Sequence, residues 1–202
     1  MGALRAVAAL WIAACTVAAC TSTATLPPAE TDWPSRQALL AKLDNWQLSG
    51  KLAVKTRTGA ETARIDWQQT GTRTHLTLTG PGGWGRATVI ADKHTLLLEK
   101  DGQQRLLDLA DSAALERELG WDMPAAMLSY WIRGIPAPGI EIEAQALSGG
   151  RLSLLQQSGW SLHYERYQQV GHLTLPARII FKGKSASGKI IIKQWKLDAS
   201  RS

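Results

Sequence analysis

The sequence predicts a mainly β fold of the α+β class: an open antiparallel β half-barrel of about eleven strands, covered by about three helices, with an apolar cavity. Apolar and polar residues alternate with a period of two over most of the chain after residue 45, which is typical of strands with one buried face. Short connections rich in Gly, Asp and Ser favour antiparallel hairpins, because parallel strands need crossovers of about a dozen residues. The few helical patterns suffice to cover one face of such a sheet, but not both.

The first 19 residues, 1–19, have the layout of a lipoprotein signal peptide. Arg5 supplies a positive charge, an apolar run follows, and small residues precede Cys20. We therefore expect cleavage before Cys20 and acylation of its thiol, although Cys15 offers a competing cleavage frame. A transmembrane anchor is disfavoured because the apolar run Ala6–Ala19 is shorter than the about 20 residues that cross a bilayer.

Two or three acyl chains on Cys20 would hold the protein on a membrane, since a single chain binds only reversibly. Thr21 follows the cysteine, whereas aspartate at that position commonly signals retention at the inner membrane. We expect the periplasmic face of the outer membrane. Residues 20–32 comprise the lipidated cysteine and a small, polar, proline-bearing stretch typical of a flexible tether, and residues 33–202 are predicted to form a single domain.

Charge and cysteine content give two further indications, about how the domain is stabilised and what it could attract. The chain has 23 Lys and Arg against 17 Asp and Glu, and removal of Arg5 with the signal leaves 22 against 17, a net charge of +5. Both cysteines precede the predicted domain, so its stability must come from packing. Positive charge is denser towards the C-terminus, at Lys182, Lys184, Lys189, Lys193 and Lys196. Such a run is either a solvated strand face or a surface that attracts anionic lipid or an acidic partner.

The elements follow in order. Pro34 can open a first helix, whose Leu39, Leu40 and Leu43 share one face. Asp111 can cap a second helix ending at Gly120. Pro124 opens a third that runs to about Arg133 and is closed by Gly134. Strands are predicted at 46–58, 61–70, 73–80, 85–92, 94–100, 103–108, 140–147, 151–157, 159–168, 174–183 and 187–197.

The alternation predicts one apolar face of the sheet. In the first strand Trp46, Leu48, Leu52 and Val54 share a face. The pattern returns at Ala63-Ile65-Trp67, Leu76-Leu78, Leu96-Leu98, Trp160-Leu162-Tyr164 and Ala177-Ile179-Phe181. An ordinary packed core explains these stripes. Eight tryptophans against one phenylalanine follow Cys20, and this excess also favours a cavity or its rim.

Several sequence motifs, in their order and spacing, resemble the outer-membrane lipoprotein receptor LolB family, the final component of the pathway that localises lipoproteins. The resemblance covers most of the chain after Cys20. The motifs are Leu48–Val54, Ile65–Gln69, Leu78–Pro81, Leu119-Gly120, Met123-Pro124, Leu128–Pro136 and Leu175–Arg178.

The resemblance implies an open barrel with helices over its mouth and a cavity that accepts acyl chains of lipoproteins handed over by the periplasmic carrier LolA. Such chains need shelter, because each CH₂ costs about 0.8 kcal/mol to expose to water. Rising affinity from carrier to receptor to membrane can drive transfer without ATP. We expect a monomer without cofactor, metal or nucleic acid, with its cavity lined by Trp46, Trp67, Leu78, Trp131, Trp160, Ile179 and Phe181.

The resemblance also implies a loop with an exposed hydrophobe that helps to deliver cargo into the membrane. The family pattern there is Gly-Pro-Leu-Gly, whereas this chain has the longer stretch Gly80–Gly85, with glycine in the place of leucine. Trp84 is the candidate replacement, since a Trp ring suits the bilayer interface. Alternatively, Trp84 folds back on the domain.

The motifs do not favour an enzyme. The four histidines lack the spacing of a zinc pair, and Gly183–Ser187 lacks the final glycine of a nucleophile elbow. The stretch Gly80–Gly85 formally matches a dinucleotide fingerprint, but a strand and not a helix follows it. The alternative functions are a membrane-anchored binding module for another lipid or apolar ligand, and a purely structural anchor without a cavity.

Overall fold

The computed structural model describes residues 32–57, 59–83, 85–111, 114, 117–118 and 124–197. The predicted signal peptide, most of the tether with Cys20, and Trp84 lie outside the described residues. Within the described part of the chain, no helix is long and apolar enough to cross a membrane.

Two of the predicted helices are confirmed. Helix α1 spans Trp33–Ala41 with proline in its first turn, and helix α2 spans Ala125–Arg133. Gly134 ends α2 with φ of 78°, a left-handed conformation that glycine adopts without steric cost. The remaining helix, predicted from Asp111, lies mostly outside the described residues, but the Ala114 amide donates to Asp111 Oδ1 at 2.9 Å, as in an N-cap.

All eleven predicted strands are present, each within a few residues of its predicted bounds. They are β1 Asn45–Thr56, β2 Ala60–Thr70, β3 Arg73–Thr79, β4 Arg86–Ala91, β5 Thr95–Lys100, β6 Gln103–Asp108, β7 Ile142–Ser148, β8 Arg151–Gln157, β9 Trp160–Val170, β10 Leu173–Lys182 and β11 Ala186–Leu197. A short 3₁₀ turn, Pro81–Gly83, lies between β3 and β4.

The strands form one antiparallel sheet in the order β6-β5-β4-β3-β2-β1-β11-β10-β9-β8-β7. Hairpins connect neighbours within each half of the sheet, and β1 pairs with β11 to join the two halves. Strands β6 and β7 are the two edges, and α2 lies in the connection between them. The sheet is therefore open, as the sequence predicted.

One face of the sheet, the inner face, carries the apolar stripes. Leu48 lies opposite Trp67 on β2 and Trp195 on β11, so that the stripes of three strands are aligned. Leu40 of α1 and Trp131 of α2 belong to the same buried cluster as these residues. Both helices thus cover the inner face, and the opposite face, the outer face, is mostly polar.

A second, smaller cluster lies under β4 to β6. Leu96 and Leu98 are its buried residues, and Ala125 at the start of α2 packs against them. The N-terminal half of the sheet is therefore covered at one point by the same helix that covers the main core.

Candidate functional site

The residues predicted to line an acyl-chain cavity lie together on the inner face. Six of them are at most 6% exposed, and the seventh, Leu78, is half-buried and packs against the same cluster. The six are Trp46, Trp67, Trp131, Trp160, Ile179 and Phe181. The sheet alternation is responsible, because each occupies the inward position of its strand or the sheet-facing side of α2.

A tryptophan cluster occupies one end of the inner face. The Trp46 ring centroid lies 5.1 Å from that of Trp67 and 5.3 Å from that of Trp195, with tilted planes. Sequence periodicity missed Trp195, because Gly50 pairs with Ile192 whereas Ser49 pairs with Gln194. The extra residue between them is a bulge that reverses the alternation of β11 at this point.

At the other end of the inner face, Trp160 and Phe181 are in contact, with ring centroids 6.2 Å apart. Gly183, the residue after β10, lies close to the Trp160 ring at the start of β9. A Cβ atom at Gly183 would lie 2.6 Å from Cε2 of Trp160, so only glycine leaves room for the ring.

Buried hydrogen bonds fix α2 on the C-terminal half of the sheet. Trp131 Nε1 donates to Gln157 Oε1 at 2.9 Å, and Gln157 Nε2 donates to the Ala137 carbonyl at 2.9 Å. The Tyr164 hydroxyl donates to the Trp131 carbonyl at 2.9 Å, and burial raises the pKa of Tyr164 well above the usual value. Sequence reasoning missed Gln157. The one feature that could have indicated its burial is its position two residues after Leu155, on the same face of the strand.

Arg133 joins the two helices. Its Nη1 donates to the carbonyls of Leu40 at 2.7 Å and Leu43 at 2.6 Å, and its Nε donates to the Ser129 carbonyl at 2.7 Å. Desolvation lowers the pKa of the Arg133 guanidinium, which still stays protonated near neutral pH. A cation at the C-terminal end of α1 is also favoured by the helix dipole.

A second buried arginine, Arg36 of α1, donates from Nη2 to the Thr174 carbonyl on β10 and lies over the Tyr167 ring. Arg36 and Arg133 are only 7% and 5% exposed. Their acceptors are backbone carbonyls, which water can also satisfy. Sequence reasoning missed both residues, because arginine is rarely so buried.

The outer face carries a groove of about 820 Å³. Strands β1, β2 and β11 form its floor, and the loop Gly80–Gly83 forms one wall. We call this cavity the outer groove. Its other lining residues are Ser49, Gly50, Lys51, Leu52, Ala53, Thr62, Ala63, Arg64, Thr79, Lys189, Ile191 and Lys193.

The described residues contain no group of three or more His, Cys, Asp or Glu side chains that could hold a metal ion. All four histidines, His75, His94, His163 and His172, are exposed. The stretch Gly183–Ser187 comprises the turn between β10 and β11 and the first two residues of β11.

Comparison with known sequences points to one protein family. A family model described as outer membrane lipoprotein LolB matches residues 44–195. The outer-membrane lipoprotein LolB of Chromohalobacter salexigens is 33% identical over 82% of this chain and 77% of its own length. That of Stutzerimonas stutzeri is 30% identical over 93% and 91%, respectively, and that of a Pseudomonas aeruginosa strain is 31% identical over 81% and 80%.

Two solved structures share the fold at low sequence identity. A LolA superfamily protein from Nitrosomonas europaea has a TM-score of 0.54 at 11% identity, covering 83% of this chain and 94% of its own. A DUF1329 family protein from Desulfovibrio piger has a TM-score of 0.51 at 8% identity, covering 85% and 96%, respectively. The open sheet with helices on one face is thus an architecture that other protein families also adopt.

Proposed function

This chain belongs to the outer membrane lipoprotein LolB family, and from that premise we propose how it works: acylated lipoproteins pass from the periplasmic carrier LolA to its inner face, and from there into the outer membrane. Family membership makes it an outer-membrane lipoprotein and a receptor in lipoprotein localisation. We further propose that LolA hands the cargo over, that the receptor is a monomer and that it catalyses no reaction.

The aligned apolar inner face is the observation that carries the proposal. It gathers Trp46, Trp67, Trp131, Trp160 and Phe181 with aliphatic side chains on one side of a single sheet. An acyl chain of about 16 carbons costs roughly 12 kcal/mol to expose to water, at about 0.8 kcal/mol per CH₂. A face of this kind provides the matching apolar contacts.

Cargo can reach the covered part of the inner face if α1 and α2 move, because Leu40 and Trp131 pack against the side chains beneath them. The arginine contacts suit such a movement. Arg133 and Arg36 bind backbone carbonyls across the helix interfaces, and water can replace both donor and acceptor when a helix lifts. Acyl chains would then take the place of Leu40 and its neighbours, which is a population shift between covered and open states.

The membrane attachments complete the cycle. Acylated Cys20 would anchor the receptor, with the stretch before residue 33 as its tether and the rest of the chain as one domain. Trp84 would enter the bilayer interface. Its neighbours Pro81, Gly82 and Gly83 are exposed, so the turn that leads to Trp84 lies on the surface.

The decisive test mixes the signal-free Cys20→Ala chain with LolA that carries an acylated lipoprotein, and follows the cargo by gel filtration and immunoblotting. The expected result is one-way transfer to the receptor, because affinity rises along the relay. Receptor added to the same cargo already in membranes should extract none. If both proteins are folded and no cargo moves, the receptor proposal fails, and a binding module for another lipid becomes the better description.

A further inference from the structure

We infer that the outer groove binds the phosphate-bearing head group of an anionic phospholipid and so orients the domain on the membrane surface. This inference rests on the receptor function proposed above, to which it adds a specific lipid contact. It assigns a role to part of the basic C-terminal region, which the sequence alone leaves between a solvated face and a binding surface.

Strand register brings the positive charges together. Lys51 on β1 lies directly opposite Arg64 on β2. On the other side of β1, Lys189 of β11 lies opposite Ala53, two residues along from Lys51, and Lys193 occupies the bulge of β11. Three adjacent strands thus place four cations along one groove on the outer face.

Three of these four charges, all lysines, have no carboxylate partner among the described residues. Its lining contains four cations and no carboxylate. Arg64 is paired with Asp66 at 2.8 Å. Among the described residues, Lys51, Lys189 and Lys193 are exposed and form no ion pair. Lys51 and Lys189 are diagonal neighbours on adjacent strands, within reach of each other's long side chains, and their like charges repel. A bound anion would offset that repulsion.

The other groups in the groove suit a glycerophosphate. The hydroxyls of Ser49, Thr62 and Thr79 line it together with the cations, and ammonium and hydroxyl groups are strong donors to phosphate oxygens. Ala53 and Ile191 add apolar surface for the carbon atoms of a head group. A volume of about 820 Å³ is large for inorganic phosphate, but falls in the range of sites for larger ligands.

The position of the groove favours lipid over an acidic protein. One wall is the loop Gly80–Gly83, the segment directly before Trp84 in the sequence. A loop that reaches the bilayer interface would bring this wall to head-group depth. Lysines near an anionic membrane each raise affinity about fivefold, an effect that falls off within roughly 10 Å.

The test uses the full lipidated protein in nanodiscs of phosphatidylcholine, with or without phosphatidylglycerol. Acetylation of each lysine is timed by mass spectrometry. We expect acetylation of Lys51, Lys189 and Lys193 to slow at least threefold when phosphatidylglycerol is present, and to recover at about 0.5 M salt. Lys93 is the control, since it is exposed in the turn at the opposite end of β4 from the loop; its rate should not change.

Other outcomes overturn the inference. Equal rates in both nanodiscs exclude a lipid site, and equal slowing at Lys93 indicates only general attraction to the membrane. Slowing by inorganic phosphate in neutral nanodiscs, with none from phosphatidylglycerol, assigns the groove to free phosphate. Slowing by added LolA alone assigns it to a protein. Cargo transfer in solution does not involve this groove, so a Lys51→Gln/Lys189→Gln/Lys193→Gln variant should still take cargo from LolA. Failure of the lipid-site inference can thus be distinguished from failure of the receptor proposal.

Discussion

Replacing Arg133 with methionine should release α1 from the inner face while the sheet stays folded. Methionine keeps most of the apolar stem but removes the charged donors to the carbonyls of Leu40, Leu43 and Ser129. The bonds to Leu40 and Leu43 hold the end of α1, whereas Ser129 belongs to α2, and each hydrogen bond from a charged group contributes roughly 1.5–3 kcal/mol. Relief of the guanidinium desolvation cost, several kcal/mol, offsets much of the sum. We expect a net loss of about 2–3 kcal/mol in α1 docking.

A loss of that size raises the population with α1 detached about 30- to 150-fold, since 1.4 kcal/mol corresponds to a factor of ten. Hydrogen exchange measured by mass spectrometry should show this as faster exchange of amides in Trp33–Ala41. Amides in the central strands β1 and β11 should exchange as in the wild type. Arg73→Met, on an exposed position of β3, is the matched control and should leave α1 unchanged.

Two results would refute this reasoning. Unchanged exchange of α1 would mean that Arg133 does not hold the helix. Equally accelerated exchange in α1 and in the central strands would mean that the arginine supports the whole fold, and that α1 cannot open separately from the sheet.

Two further predictions concern the sheet itself. Gly188→Ala should lower the free energy of unfolding by about 1–3 kcal/mol, because the added Cβ would overlap the Ala53 carbonyl and lie 2.6 Å from Phe181 Cζ. Urea titrations measure this loss. The control Gly59→Ala, with no atom within 4 Å of its Cβ, should change the free energy of unfolding little. Burial raises the pKa of Tyr164 above its value in the unfolded chain. The contribution of Tyr164 to the free energy of unfolding is therefore fully present below about pH 10, the unfolded pKa, and is lost as the pH rises towards the folded pKa. Urea titrations at pH 8 and pH 11 should therefore show a smaller alkaline loss for Tyr164→Phe than for the wild type; an equal loss would contradict this assignment.

The sequence predicted the strands well because each half-buried strand repeats its pattern independently of the others. Trp46 and Leu48 are inward and Lys51 outward for the same local reason, namely the alternation of side chains along a strand. The helix from Ala125 to Arg133 was equally predictable, since a proline precedes it and a glycine follows it.

What the sequence could not show depends on which strands become neighbours. The pairing of β1 with β11 joins residues more than 100 positions apart, and no hairpin signal points to it. That pairing creates the outer groove from Lys51 and Lys189, and its bulge turns Trp195 inward. Arg133 Nη1 donates to backbone carbonyls at the end of another helix, for which side-chain patterns carry no information.

The central claim is that acyl chains of cargo bind the inner face. The most direct measurement places a photoreactive amino acid at Leu78 or at Thr77, adjacent residues of β3 that face the inner core and an outer-face groove, respectively. Each variant receives lipoprotein with radiolabelled acyl chains from LolA and is then irradiated. We expect acyl label to attach at position 78 and not at position 77. Equal labelling at both positions, or labelling at position 77 alone, would contradict the claim.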